Sequence, residues 1–280
     1  MWFMLALLAG FLFAANRLLV RSILTKKVDP MTFGAKHEII AGAILLPIAF
    51  FSFSLPQSVS VWIAFALGIL CIFLCDLFAF LCLEKIEASL YQIVGQLRHV
   101  IVLLGAYFLF TELITLSKIV SILLIIIGVS IALVAKEKIA INRGTIYTFL
   151  STLFIALGFL FIKITATEVP PAFSGSISLL ISGILISILL RFRKAKKSTV
   201  KSIGNRKALL LAAGIFAAFE LSLFTALAIG EASRVTPVTQ SSLIFTLLGG
   251  YFFLHERDAL KQKVLGSLLI VVGIGILYFV

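Results

Sequence analysis

EASLYQIVGQLRHVIVLLGAYFLFTE, residues 87–112, has a second copy in the chain: residues 231–256 read EASRVTPVTQSSLIFTLLGGYFFLHE. Without a gap, Glu87 falls on Glu231, Gln96 on Gln240, Gly105 on Gly249, Tyr107-Phe108 on Tyr251-Phe252 and Glu112 on Glu256. One register that carries Gly and Gln together marks an internal repeat rather than shared hydrophobicity. It extends backwards, placing Asp76 on Glu220, Phe80 on Phe224 and Leu83 on Leu227. Forwards it survives a one-residue slip, after which Gly128 meets Gly273. The opening segments match more loosely, with Phe13 and Ala15 on Phe154 and Ala156, and Pro30 and Gly34 on Pro171 and Gly175. The chain is a tandem duplication.

Composition sets the solvent. The 280 residues are 61% hydrophobic and only 13% charged, against about 25% charged in globular domains. That much apolar surface cannot be hidden in a core of this size, so it faces lipid. Cys71, Cys75 and Cys82 share one apolar run and read as small polarizable core residues rather than as a disulfide or metal set. Residues 1–24 lack the basic start of a signal peptide and are needed as the first helix of the first repeat.

Apolar segments of spanning length fall at 2–24, 31–54, 60–83, 87–110 and 115–135 in the first half. The second half gives 145–167, 171–191, 207–229, 231–254 and 259–280, each near the ~20 residues a bilayer requires. The expected fold is all-α integral membrane: ten transmembrane helices as two inverted five-helix repeats. Its parts are a first repeat at 1–135, a cytoplasmic connector at 136–144 and a second repeat at 145–280. Inversion follows from parity, because five crossings bring the second copy into the membrane from the opposite side. Secondary transporters use this plan, with the solute site near the midplane where the copies meet.

Basic residues give the orientation. Nineteen of the 24 Lys and Arg are assigned to the loops after the odd-numbered helices and the helix ends beside them, Lys263 among them, with a dense run at Arg191–Lys207. The opposite loops carry only Lys118 and Arg234. The crowded side is expected to be cytoplasmic, which leaves both termini outside. The net charge of +12 therefore reads as topology; loops this short form no folded basic surface for nucleic acid. Attraction of 191–207 to anionic lipid is a secondary role.

Ionisable groups inside the spans carry the functional expectation, since each costs about 2.5–3.5 kcal/mol to insert. Asp76 and Glu220 are acids at equivalent repeat positions. Either they serve transport, or each merely pairs with a base such as Arg98. Arg98 and His99 either bind an anion or neutralise Asp76. Gln92, Gln96 and His99 fall at i, i+4 and i+7 on one face of the fourth helix. Their counterparts are Thr236, Gln240 and the apolar Leu243. Two facing amide stripes either line a polar cavity or bond helices together. Asn16-Arg17 adds a polar pair to the first helix, unless Arg17 snorkels to the surface. Lys163 is expected to snorkel at the outer end of the sixth helix, and His37-Glu38 to sit at the cytoplasmic interface. Trp62 suits an outer aromatic belt. Metalloprotease, nucleophile-elbow and phosphate-loop motifs do not occur, so no cofactor or metal is expected.

The doubled Glu-Ala-Ser helix start, the Gly-x-Tyr-Phe run, the Glu that follows and the Gly-punctuated last helix together resemble the EamA-like family of the drug/metabolite transporter superfamily. The likeness covers nearly the whole chain and is clearest at 84–135 and 228–280. It implies a ten-helix secondary transporter, often an exporter, of a small metabolite or drug-like solute by alternating access through a central cavity. Two departures stand out: Ala14-Ala15-Asn16 where the family often has Trp-Gly, and Lys36-His37 near the place of an early second-helix arginine. The competing functions are a membrane-embedded scaffold or enzyme without transport activity, and a channel, for which no selectivity loop or charged ring is visible. Expected partners are the solute, the bilayer and possible protons. The expected location is a plasma (inner) membrane.

Overall fold

The computed structural model describes residues 1–26, 28–110, 115–134, 143–166, 168–192, 206–231, 235, 238–255 and 260–279. Its elements are helices: α1 (Trp2–Leu24), α2 (Pro30–Phe51), α3 (Val59–Leu83), α4 (Ala88–Val94), α5 (Arg98–Phe110) and α6 (Leu116–Val134) in the first half. The second half has α7 (Arg143–Thr165), α8 (Pro171–Phe192), α9 (Arg206–Ile229), α10 (Ser241–Phe253) and α11 (Leu260–Phe279). Short local signals start them. Asp29 accepts the Thr32 N–H at 2.8 Å while Pro30 takes the first turn of α2, where its missing N–H costs nothing. Ser58 caps α3 by accepting from the Val61 N–H.

Six described helices, α1, α2, α3, α7, α8 and α9, are long and apolar enough to cross a membrane. Large apolar side chains such as Met4, Phe50, Phe108, Leu116 and Phe253 stand exposed, Phe51 to 88%. That outward belt suits lipid and would be untenable in water.

The halves interlock rather than lie side by side. α2 packs along α8, α3 along α7, α6 along α11 and α1 along α9, each pair joining the two repeats. Glycine contacts give the register. A Cβ on Gly42 would strike Leu180 and the Ser176 carbonyl; one on Gly183 would strike Ile39 and the Ala35 carbonyl. The contact is the same one read from each side, and it runs antiparallel, later residues of α2 meeting earlier ones of α8. Gly128 abuts Gly266 and Ile270, while Gly273 abuts Ser121, Leu124 and Ile125. Gly105 meets Leu160 of α7, and Gly249 meets Leu18 of α1. Equivalent helices thus face each other in reverse about a two-fold axis that crosses them.

The fourth span is not one helix. A 3-10 turn at Gly95–Leu97 separates α4 from α5, and α10 begins only after a turn at Thr239–Gln240. At the two breaks, Gln96 Nε2 donates to Gln240 Oε1 at 3.0 Å, with both side chains fully buried. Residues that the repeat maps onto each other can bond each other only at the axis. Irregular backbone at membrane depth is tolerated where protein surrounds it, and both breaks meet that condition. The expectation of one continuous stripe through Gln92, Gln96 and His99 is corrected here: the tighter 3-10 turn rotates His99 off the register that i, i+4 and i+7 assumes. The Gln92 side chain and Thr236 lie outside the described residues.

Candidate functional site

Between the breaks and the packed pairs lies a small cavity of about 30 Å³, room for roughly one water. Phe13 and Arg17 reach it from α1, Cys75 and Asp76 from α3, Tyr91 and Arg98 from α4 and α5. Phe159 enters from α7, Phe216, Phe219 and Glu220 from α9, and Thr239 from the turn before α10. Both repeats therefore build one wall-to-wall site. A larger groove of about 560 Å³ opens between α1 and α10, but its lining of Phe11, Leu18, Leu248 and Phe252 is apolar and holds no ionisable group.

The arginines are buried against rings. Arg17 lies 4.7 Å from the Phe13 ring centre and 5.6 Å from those of Tyr91 and Phe216. Arg98 lies 6.0 Å from Phe13 and 5.9 Å from Phe159. Aromatic faces attract a cation, more so without water. Arg17 is only 3% exposed, so the snorkelling alternative fails: its side chain turns inward. The Nε atoms of Arg17 and Arg98 have no hydrogen-bond partner.

The acids sit opposite. Asp76 Oδ2 accepts from Ser182 Oγ at 3.3 Å, and Glu220 Oε2 is buried without a partner. Among the described residues no ion pair joins either acid to Arg17 or Arg98. The fixed Asp76–Arg98 pair weighed from the sequence is not formed. His99 is buried with both ring nitrogens unpartnered. Gln96 and Gln240 do not line the cavity; they bond across the axis behind it, and Gln240 Nε2 also donates to the lining residue Thr239 at 3.1 Å.

His37-Glu38 overturns its interfacial reading: both are fully buried. Asn16 Nδ2 donates to the Ala212 carbonyl at 2.9 Å, which fixes the amide orientation because a carbonyl only accepts. His37 Nε2, 3.1 Å from the same nitrogen, must then accept. The His37 proton sits on Nδ1 and is donated to Glu38 Oε1 at 2.9 Å. Phe33, Phe80 and Phe216 pack on the imidazole, and Phe216 is shared with the cavity wall. Asn16 is thus a strut between α1, α2 and α9 beside the cavity rather than in it.

Several residues at or around the site were not foreseen. Ser182 and Tyr91 are ordinary residues of apolar segments in the sequence, and only packing aims them inward; Tyr91 Oη lies 3.1 Å from Ser151 Oγ, which donates to the Cys75 carbonyl. Lys263, 1% exposed, pairs with Glu87, buried where its place in the sequence puts it among the loop-side charges. Lys163 caps α9, donating to the carbonyls of Leu227 and Gly230 at 3.1 and 2.7 Å. The three cysteines are free and buried.

Comparison with known proteins fits this geometry. The model of the EamA-like transporter family matches residues 1–134 and 142–279, one match per repeat. Twenty-eight chains of solved structures match. One crystal structure, described only as that of a protein, superposes with a TM-score of 0.70 at 18% identity, covering 97% of this chain and 95% of that one; at that identity it shows the fold alone. No curated protein matches.

Proposed function

The chain belongs to the EamA-like transporter family, and we propose that it is a secondary transporter, working as an exporter, that moves a small metabolite or drug-like solute by alternating access. The observation that carries this reading is the central cavity, in which two arginines, two acids and a ring of aromatics meet where the repeats cross. A scaffold gains nothing from burying those four charges, each costly to insert.

In this reading ten spans form two inverted repeats, with both termini outside and 191–207 in the cytoplasm of a cell with a plasma (inner) membrane. At about 30 Å³ the cavity is closed, since solute pockets run to roughly 300 Å³ or more. The repeats rock about the Gln96–Gln240 contact and open the cavity to one face at a time. Arg17 and Arg98 then offer charge and stacking to the solute, and the rings clasp its apolar part. Asp76 and Glu220 couple the motion to protons: solvent enters and leaves their surroundings as the cavity opens, so their proton affinity differs between states, which is what coupling requires.

The test compares the medium of overexpressing and deletion cells to find the solute, then follows its flux in proteoliposomes. Saturable flux driven by a proton gradient is expected, with Asp76→Asn and Glu220→Gln losing nearly all of it while melting as the parent does. Full gradient-driven flux in both folded variants rules out coupling through these acids, and a steady conductance rules out the carrier.

A further inference from the structure

We propose that Glu38 is a third member of the central carboxyl set, and that Glu38, Asp76 and Glu220 hold one proton between them in the closed state. This deepens the coupling role given to Asp76 and Glu220 above, but the proton count stands without transport.

α2 abuts α8 where Gly183 meets the Ile39 backbone, and the preceding residue, Ser182, donates to Asp76. Glu38, next to Ile39, therefore lies at the level of Ser182 in the α2–α8 contact, within electrostatic range of Asp76 and Arg17, and of Glu220. Its Oε1 takes the His37 proton donor, while its Oε2 is buried with no partner at all. A carboxylate serving only to pin His37 would have no reason to leave a second oxygen unpartnered at a buried position.

Every element around the site can be read for titratable groups. α1 supplies Arg17, α2 His37 and Glu38, α3 Cys75 and Asp76, α4 Tyr91, α5 Arg98 and His99, and α9 Glu220. α7, α8 and the turn before α10 supply only hydroxyls and apolar groups there: Ser151, Phe159, Ser182 and Thr239. His37 is neutral, because its Nε2 accepts from Asn16. An imidazolium at His99 would have neither ring N–H satisfied, so it too is neutral. The arginines stay protonated. Two positive charges then face three carboxyls, and a third buried carboxylate left uncompensated is costly. One proton removes the excess.

The three carboxyls are also spread in depth. At 1.5 Å per residue, Glu38 lies roughly 12 Å along α2 from its Pro30 end and Glu220 roughly 21 Å along α9 from its Arg206 end. The shared proton has one seat near the Pro30 end and one past the middle. An incoming cation would displace it; an incoming anion would bring in a second.

Infrared spectroscopy of the purified protein in nanodiscs at neutral pH tests this without a solute. The wild type is expected to show a protonated-carboxyl band equivalent to one group per chain, shifted by exchange into heavy water. Glu38→Gln should abolish it, as Asp76→Asn and Glu220→Gln should, since each leaves two carboxyls for two arginines. Glu38→Asp should keep the band but move its frequency, because the proton spends part of its time at that position. Arg98→Met should double it. A folded Glu38→Gln that retains the band, or a Glu38→Asp with an unmoved band, overturns the assignment; so does a wild type with no band. Loss of the transport reading would leave all of these spectra unchanged.

Discussion

The two repeats share their scaffold and differ in their charge. Glycines, the broken fourth and ninth spans and the paired glutamines recur in both halves and make the same contacts from opposite sides. The buried charges do not recur. Arg17 of α1 falls on Gly158 of α7, and α7 lines the cavity with Phe159 beside it. Arg98-His99 is matched by Ser242-Leu243, and His37-Glu38 by Ser178-Leu179. Only the acids, Asp76 and Glu220, are kept on both sides. In the proposed carrier, symmetry would supply two interchangeable packings, while the one-sided arginines and the His37–Glu38 pair make the two faces chemically unequal. A carrier needs both: near-equal states to alternate between, and a difference that a solute or proton can act on.

The strongest way to break the shared scaffold is to fill its closest approach. Gly42→Val and Gly183→Val each force a side chain against the backbone of the partner helix, Leu180 N at 2.9 Å in one case and Ile39 N at 2.8 Å in the other. Each should cost about 1–3 kcal/mol or more, the range for overpacking, and the two should cost alike. Thermal melting in one detergent measures both; a clear inequality would mean that the halves are not equivalent at this contact.

A smaller effect is expected at the axis. Gln96→Ala or Gln240→Ala leaves a buried amide without its cross-axis bond, worth about 1–3 kcal/mol. The double variant should be little worse than either single one, since the same bond is lost. Additive losses in a double-mutant cycle would show that the two amides act separately.

The smallest effect is expected outside the membrane, where the repeats touch through one loop. Glu168 accepts the N–H groups of Gln57, at 2.7 Å, and Ser58 at the start of α3. These hydrogen bonds hold its carboxyl below the usual range, so its stabilisation is present above the ordinary carboxylate pKa and lost as pH falls through the lowered value. Because the group is exposed, Glu168→Gln should lower the melting temperature only slightly at neutral pH, and the difference should vanish in acid. A difference that persists in acid would assign the effect to packing.

How far these features could be read beforehand follows from what each depends on. The duplication, the six long apolar helices and the equivalence of Asp76 with Glu220 were legible because they are written in order along the chain. The meeting of Gln96 with Gln240 was half legible. Their equivalence was plain, but the 3-10 turn at Gly95–Leu97 was not, since no proline marks it. His37-Glu38 was misplaced because its proximity to Lys26 and Lys36 suggested an interface. The helix start at Pro30 in fact carries the pair two turns inward, to Asn16 and Ala212, residues far apart in sequence. Lys263 misled for the same reason: Glu87, the acid that buries it, belongs to the other repeat.

Alternating access through the central cavity can be tested without knowing the solute, because the cavity carries its own thiol. Cys75 lines it, and Cys71 and Cys82 are buried elsewhere. In Cys71→Ala, Cys82→Ala protein, sealed vesicles of known orientation are treated with a small membrane-impermeant thiol reagent from one face or the other. Cys75 is expected to react from either face, slowly, with no steady current across the membrane, because the closed state must open one way or the other first. No reaction from either face over hours in folded protein, or reaction from one face only, would contradict alternating access.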